Sequence, residues 1–225
     1  MGHRDFKDRV YGQFARISQA LASEKRLELV DLLAQAPRHV EALATETEMS
    51  VANVSQHLQT LKAAGLVEAR RSGRKTIYSL TGDDVLALWL SLRSVAEVRS
   101  AEVSRATSEV VPERDAERVL SRGGLERLFA TEGVTLIDVR PTVEYEAGHL
   151  PGAISVPIDQ LEGRLPQLPR DRRVIAYCRG EYCLFADEAV ALLREEGYEA
   201  MRLEGGWPEW KAEDRPTSTT TRVRN

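Results

Sequence analysis

Cysteine is scarce in this chain: 225 residues carry two thiols, Cys178 and Cys183, both in the second half. Two thiols make no disulfide scaffold, and a close pair in a reducing compartment more often serves reactivity, redox exchange or metal binding than structure. Long hydrophobic runs are missing as well. No stretch approaches the roughly 20 apolar residues of a membrane span, and Met1-Gly2-His3-Arg4-Asp5 lacks the apolar segment of a signal peptide. A cytoplasmic protein with no membrane partner is therefore expected. Strong charge of either sign is also absent, since the formal net charge is -4, which argues against broad, nonspecific coating of nucleic acid. What remains is 42% hydrophobic and 29% charged residues, ordinary for a soluble globular chain and enough for two modest cores.

The chain changes character between Val110 and Arg122. Before it, apolar residues recur at helical spacing. After it, short β-branched runs (Thr135 to Val139, Ala153 to Val156, Val174 to Tyr177) alternate with helical patterns. Charge shifts at the same place, from 14 basic and 13 acidic side chains over 1–104 to 17 and 22 over 105–225. Pro112, beside Glu113, Arg114 and Asp115, marks the break.

Three helices are expected within 24–69. The first covers 24–35, with Leu27, Val30, Leu33 and Ala34 on one face. A short second carries Val40, Leu43 and Ala44. A third is capped by Ser50 and runs to about Ala64, where Gly65 ends it. In the third, Val54, Leu58 and Leu61 face the core and leave Asn53, Ser55, Gln56, His57 and Thr60 on the other faces. Short polar side chains near a helix N-terminus suit base edges in a major groove, where Asn and Gln pair with adenine. The next segment reads as two strands around Ser72-Gly73, with Arg70, Arg71, Arg74 and Lys75 gathered at the hairpin tip. A basic tip alone is usually a solvated surface; directly after a polar-faced helix it suits phosphates or a minor groove.

This run, Val54 to Val67 followed by Arg70 to Leu80, closely resembles the ArsR family of winged helix-turn-helix repressors over about residues 5–104. The resemblance implies a homodimer joined through the first and last helices, about 5–20 and 82–104, bound to an inverted repeat in double-stranded DNA. Leu86, Trp89, Leu90, Leu92 and Val95 are too apolar for a fully exposed helix, although packing within their own domain explains them equally well. The departures concern metal. Members that sense metal hold thiolates before the recognition helix, or Asp, His and Glu on the last helix. Here residues 39–49 and 83–93 contain no cysteine, and 83–93 no histidine. His39 near Glu41 is more simply surface polarity than a ligand pair, so no metal or other cofactor is expected.

In the second half the strand Val174 to Tyr177 runs into Tyr177-Cys-Arg-Gly-Glu-Tyr-Cys183 and then a helix beginning near Leu184. A thiol so placed faces backbone N–H groups and a helix N-terminus, which stabilise a sulfur anion. Cys178 is the nucleophile candidate. Arg179 either steers an anionic donor or is a solvated loop arginine, and Gly180, Glu181, Tyr182 and Cys183 complete the anion-holding loop. Cys183 is either a resolving thiol or a buried structural cysteine. Residues 117–215 resemble the rhodanese family through Leu136-Ile-Asp-Val-Arg-Pro141 with Glu144 and Tyr145, Gly148 to Pro157, the cysteine loop, and Leu203 to Trp210. That implies an α/β fold with a parallel central sheet and sulfur transfer through a Cys178 persulfide. Asp138, Arg140, Glu144 and His149 then belong to the scaffold. Phosphatases of this fold use a longer loop ending in arginine, whereas position 184 is leucine, so a sulfur-sized pocket is favoured.

The expected organisation is a winged helix-turn-helix domain over 1–108, a linker at 109–116, a rhodanese-like domain over 117–215 and a disordered tail over 216–225. The expected function is a transcriptional regulator whose Cys178 accepts sulfane sulfur, from a donor such as thiosulfate or polysulfide, or another thiol-reactive signal, and thereby changes DNA affinity. The competing expectations are a sulfurtransferase tethered to a DNA-binding domain without coupling, and a degenerate rhodanese acting as a binding module.

Overall fold

The computed structural model describes residues 2–110, 118–131 and 133–220. The described residues fold as two compact units that divide between Leu92 and Arg93. The expected linker at 109–116 lies mostly outside the described residues, and the boundary between the units falls earlier, within a helix.

The first unit contains α1 (His3–Leu21), α2 (Glu24–Gln35), β1 (Arg38–His39), α3 (Val40–Glu46), α4 (Val51–Ala63), β2 (Val67–Ser72), β3 (Lys75–Leu80) and the start of α5 (Asp83–Arg99). Helix α4 forms where expected: Ser50 Oγ accepts from Asn53 N at 3.2 Å, and Gly65 beyond its end takes φ +77, a conformation open to glycine at little cost. Leu29, Val30, Leu33, Leu43, Val54, Leu58 and Leu61 pack into one core. Strands β2 and β3 pair antiparallel, with Ser72 opposite Lys75, and Gly73 supplies the positive φ of the tight turn. Of the apolar residues expected to be covered on α5, Leu86 is buried and Trp89 packs on this core, whereas Leu92 and Val95 are exposed; Trp89 Nε1 donates to Asp31 at 2.8 Å. Phe6, Tyr11 and Phe14 of α1 are each more than half exposed.

The second unit holds the rest of α5, then α6 (Ala101–Val110), β4 (Val119–Leu120), α7 (Arg122–Thr131), β5 (Thr135–Asp138), α8 (Thr142–Ala147), β6 (Ile154–Ser155), α9 (Leu161–Arg164), β7 (Val174–Cys178), α10 (Phe185–Glu195), β8 (Ala200–Gly206) and α11 (Trp207–Ala212). Its five strands are parallel in the order β4-β8-β7-β5-β6. Central strand β7 is buried at every position, which is why it reads as an unbroken apolar run rather than an alternation. Val174, Ala176 and Cys178 enter the core on one face of the sheet, and Ile175 and Tyr177 the core on the other.

Beneath the strand ends, Arg140 and Asp138 form a fully buried ion pair. Tyr177 Oη donates to Asp138 Oδ2 at 2.6 Å and accepts from Leu150 N at 3.1 Å, while Arg140 Nη2 donates to the Gly148 carbonyl at 2.7 Å. His149 stacks on Tyr145 at 3.8 Å between ring centres. The expected disordered tail is corrected over 216–220. Ser218 and His149 exchange backbone hydrogen bonds of 2.9 Å, and Trp210 Nε1 donates to the Pro216 carbonyl at 2.7 Å; residues 221–225 lie outside the described residues.

Candidate functional site: the cysteine loop and the winged-helix face

Strand β7 ends on Cys178 at the carboxyl edge of the parallel sheet, where open α/β folds place ligands. The backbone then turns through Gly180, at φ +131, and reaches Phe185 at the start of α10. Closure of the loop depends on a second glycine. A Cβ on Gly206 would overlap the Cys178 carbonyl oxygen and the Gly180 backbone nitrogen, so β8 can run against the loop only without a side chain there. Glu209 of α11 reaches back toward this point, its Oε2 accepting from Gly206 N at 2.9 Å and its Oε1 from Arg93 Nη1 at 2.9 Å.

The expected open thiolate at Cys178 is corrected. Cys178 is fully buried, and its Sγ lies within hydrogen-bonding reach of two carbonyl oxygens, Cys183 at 3.4 Å and Gly180 at 3.8 Å, which its single proton can serve one at a time. Burial and then the neighbouring Cys183 push its pKa well above the ordinary thiol value, while a hydrogen bond with the Gly180 backbone and the Arg202 charge pull the other way. A neutral thiol satisfies carbonyls that a thiolate would repel, so the resting loop is closed over a protonated sulfur. The acidic member of the pair is Cys183, half-buried at the end of the loop. Its pKa is brought down to about 7 by the hydrogen bond with the Cys178 thiol, against the opposing effect of burial and with help from the backbone at Arg179 and Phe185.

Arg179 does not point freely toward solvent. Its Nε lies 2.9 Å from Glu144 Oε1 and 3.1 Å from Oε2, with Glu144 fully buried, so it pins the loop to α8. Glu181 faces a cation absent from the sequence expectations, Arg202 of β8, which is 2% exposed: Arg202 Nη1 lies 3.4 Å from Glu181 Oε2, and its Nη2 donates to the Gly180 carbonyl at 3.0 Å. Tyr182 is nearly half exposed and donates to Glu97 Oε1 at 2.8 Å. The signal for Arg202 was a charged residue inside the otherwise apolar Ala200-Met-Arg-Leu203. The signals for Gly206 and Glu209 lay in the Gly205-Gly-Trp-Pro-Glu209 run. A cleft of about 310 Å³ lined by Val139, Pro157, Ile158 and Gln160 adjoins Phe185, and an apolar one of about 450 Å³ lies against Tyr182 and Leu184.

In the first unit, Asn53, Gln56 and Thr60 are exposed along α4, with Ser55 and His57 partly so. Thr60 Oγ1 is turned back to the Gln56 carbonyl at 3.2 Å. Arg70, Arg71, Arg74 and Lys75 are all exposed on the hairpin. His39 serves as a helix cap, its Nδ1 accepting from Ala42 N at 3.2 Å. Among the described residues no group of three His, Cys, Asp or Glu side chains is placed to hold a metal, and no helix is long and apolar enough to cross a membrane.

Fold and site together define a two-part regulator, a winged helix-turn-helix followed by a parallel α/β unit with a cysteine loop. Residues 23–69 match the family described as bacterial regulatory protein, arsR family, and residues 121–213 match the rhodanese-like domain. The HTH-type transcriptional regulator Rv0324 of Mycobacterium tuberculosis is 45% identical over 93% of this chain and 92% of its own length. A sulfurtransferase of Allochromatium vinosum is 35% identical over 38% of this chain and 78% of its own. The homodimeric winged helix-turn-helix DNA-binding fragment of Mb0332 from Mycobacterium bovis, described as a possible ArsR-family regulator, is 43% identical over 45% of this chain and 94% of that one, with a TM-score of 0.43. The chain belongs to the ArsR-family transcriptional regulators that carry a rhodanese-like domain.

Proposed function

We propose that this regulator binds an inverted-repeat duplex as a homodimer through α4 and the β2–β3 wing, and that sulfane sulfur taken up on Cys178 changes its affinity for DNA. The observation that carries the reading is the thiol pair: both cysteines of the chain sit in one loop at the carboxyl edge of the sheet. The winged-helix unit has none. Exposed Phe6, Tyr11 and Phe14 on α1 support self-association.

The pair divides the chemistry. Thiolate at Cys183 accepts the Cys178 proton as a donor arrives, and the freed Cys178 sulfur attacks the outer sulfur of thiosulfate or polysulfide. With thiosulfate, the new S–S bond forms as the sulfur–sulfur bond of the donor breaks, leaving a Cys178 persulfide anion and sulfite. Return of the proton to the outer sulfur regenerates the Cys183 thiolate, which attacks the Cys178 sulfur, forming a Cys178–Cys183 disulfide and releasing HS⁻. Loop opening must precede the first step, and the apolar space beside Tyr182 and Leu184 gives the loop room to move.

A second reading, sulfur transfer without any effect on DNA, is favoured by the 35% identity to a sulfurtransferase. Intact-mass analysis of the full chain after thiosulfate or polysulfide tests both. The regulator reading expects a Cys178–Cys183 disulfide in wild type and, formed more slowly in Cys183→Ser because the proton acceptor is gone, the mass of one added sulfur at Cys178, together with altered DNA binding in wild type. An unmodified thiol pair defeats both readings, while sustained sulfur transfer to cyanide with unaltered DNA binding leaves only the second.

A further inference from the structure

A sulfur anion formed at Cys178 needs a positive charge within reach, and Arg179 is held by Glu144. The side chain that meets the loop from below is Arg202. Strand register explains its position: Arg202 pairs with Ala176, and a shift in the pairing between Ala176 and Cys178 sets Cys178 opposite Gly206. Arg202 thus stands beside β7 on the face that buries Ala176 and Cys178. The Gly180 carbonyl is the hub of the closed loop, receiving Arg202 Nη2 at 3.0 Å, Cys183 N at 3.2 Å and Cys178 Sγ at 3.8 Å.

We propose that Arg202 is the positioning residue of the cysteine loop, anchoring the Gly180 carbonyl and supplying the buried positive charge that stabilises a thiolate or persulfide anion on Cys178. The inference rests on the sulfur-accepting reading and names the group that makes it possible. Charged and titratable groups surround the site from each packed element. Asp187 of α10 lies 3.5 Å from Arg202 Nε, and Glu181 3.4 Å from Nη1. Glu209 of α11 flanks Gly180, Arg179 is neutralised by Glu144 of α8, and Cys183 shares the loop. The two carboxylates fix the guanidinium, and burial of that charge strengthens its action on a nearby anion. The mutual influence has the required sign, since Arg202 favours the Cys178 anion and the anion favours charged Arg202.

The test is the rate of iodoacetamide alkylation of each cysteine across about pH 6 to 10, read by peptide mass on the full chain; because the Cys178 midpoint lies toward or beyond the upper end of that range, its displacement is read as a parallel shift of the whole rate–pH line. It compares the wild type with Arg202→Gln and Arg202→Lys. Arg202→Gln is expected to raise the Cys178 midpoint by about one pH unit or more, roughly tenfold slower reaction near neutrality. Arg202→Lys is expected to return the rate to within about threefold of wild type, because charge survives but the forked geometry does not. A folded Arg202→Gln with an unchanged midpoint overturns the inference. Should that variant fail to fold, Asp187→Asn in the first turn of α10 takes its place: release of Arg202 from its partner lowers the midpoint, and an unchanged or raised midpoint overturns the inference. A reactive wild type that takes up no sulfane sulfur overturns the sulfur-accepting reading instead, so the two failures are distinct.

Discussion

Position 206 has no space for a side chain, because the backbone of Cys178 and Gly180 occupies the volume a Cβ would need. Gly206→Ala should cost about 1–3 kcal/mol, the usual range for an overpacked core. Thermal unfolding should show the loss, and the loop should become more open to alkylation; an unchanged melting temperature would contradict the packing. The thiol pair gives the pH dependence. Cys183, depressed to about 7, contributes stability that is fully present above the ordinary thiol value and is lost as pH falls through about 7. Cys178, raised by burial, contributes stability that is present below the ordinary thiol value and declines as pH rises toward its folded value. Stability of Cys183→Ser relative to wild type should therefore worsen from pH 6, about one unit below the Cys183 midpoint, to pH 9, about the ordinary thiol value, as measured by denaturant melts. A difference independent of pH would remove Cys183 as the acidic thiol. At this scale both sulfurs are located by sequence but their acidity is not, because a strand-to-helix turn suggests amides around a sulfur and says nothing of the carbonyls that fold over a neutral thiol.

Elements are more legible than the contacts between them. Helix α4 is readable because Ser50, Val54, Leu58, Leu61 and Gly65 carry its cap, its buried stripe and its stop at consistent spacing, all local information. Strand β8 is hidden because Arg202 interrupts its apolar pattern; that charge is tolerable only beside Glu181, Asp187 and the Gly180 carbonyl, which come from elsewhere in the chain. The wing gives a prediction of its own. Arg74 and Lys75 flank or form the turn between β2 and β3 and are exposed. Each wing cation that neutralises a phosphate should add about 0.9 to the slope of log affinity against log salt. Neutralising both in Arg74→Gln/Lys75→Gln removes two cations from each wing of the homodimer and should reduce the slope by about 3.6, measured by fluorescence anisotropy over a salt series. An unchanged slope would remove the wing from the phosphate contacts.

At the scale of the whole molecule, the two-part organisation is visible as a change from helical periodicity to alternating strands and helices. The order of the tail is not, since Pro216 to Thr220 carry little apolar surface and are held by backbone pairing with His149 and Glu146, which composition cannot register. What joins the parts functionally is the claim that the state of the Cys178 thiol alters DNA affinity. A coupling of about 1–3 kcal/mol corresponds to a change of some 5–150-fold. The direct measurement is the affinity of the full chain for an inverted-repeat duplex selected by the protein from a random pool, titrated before and after polysulfide treatment, in wild type and in Cys178→Ser. A change of at least about fivefold is expected in wild type, reversed by a reducing thiol and absent from Cys178→Ser. Equal affinities before and after treatment of a wild type shown by mass to carry the persulfide or disulfide, or an equal response in Cys178→Ser, would contradict it.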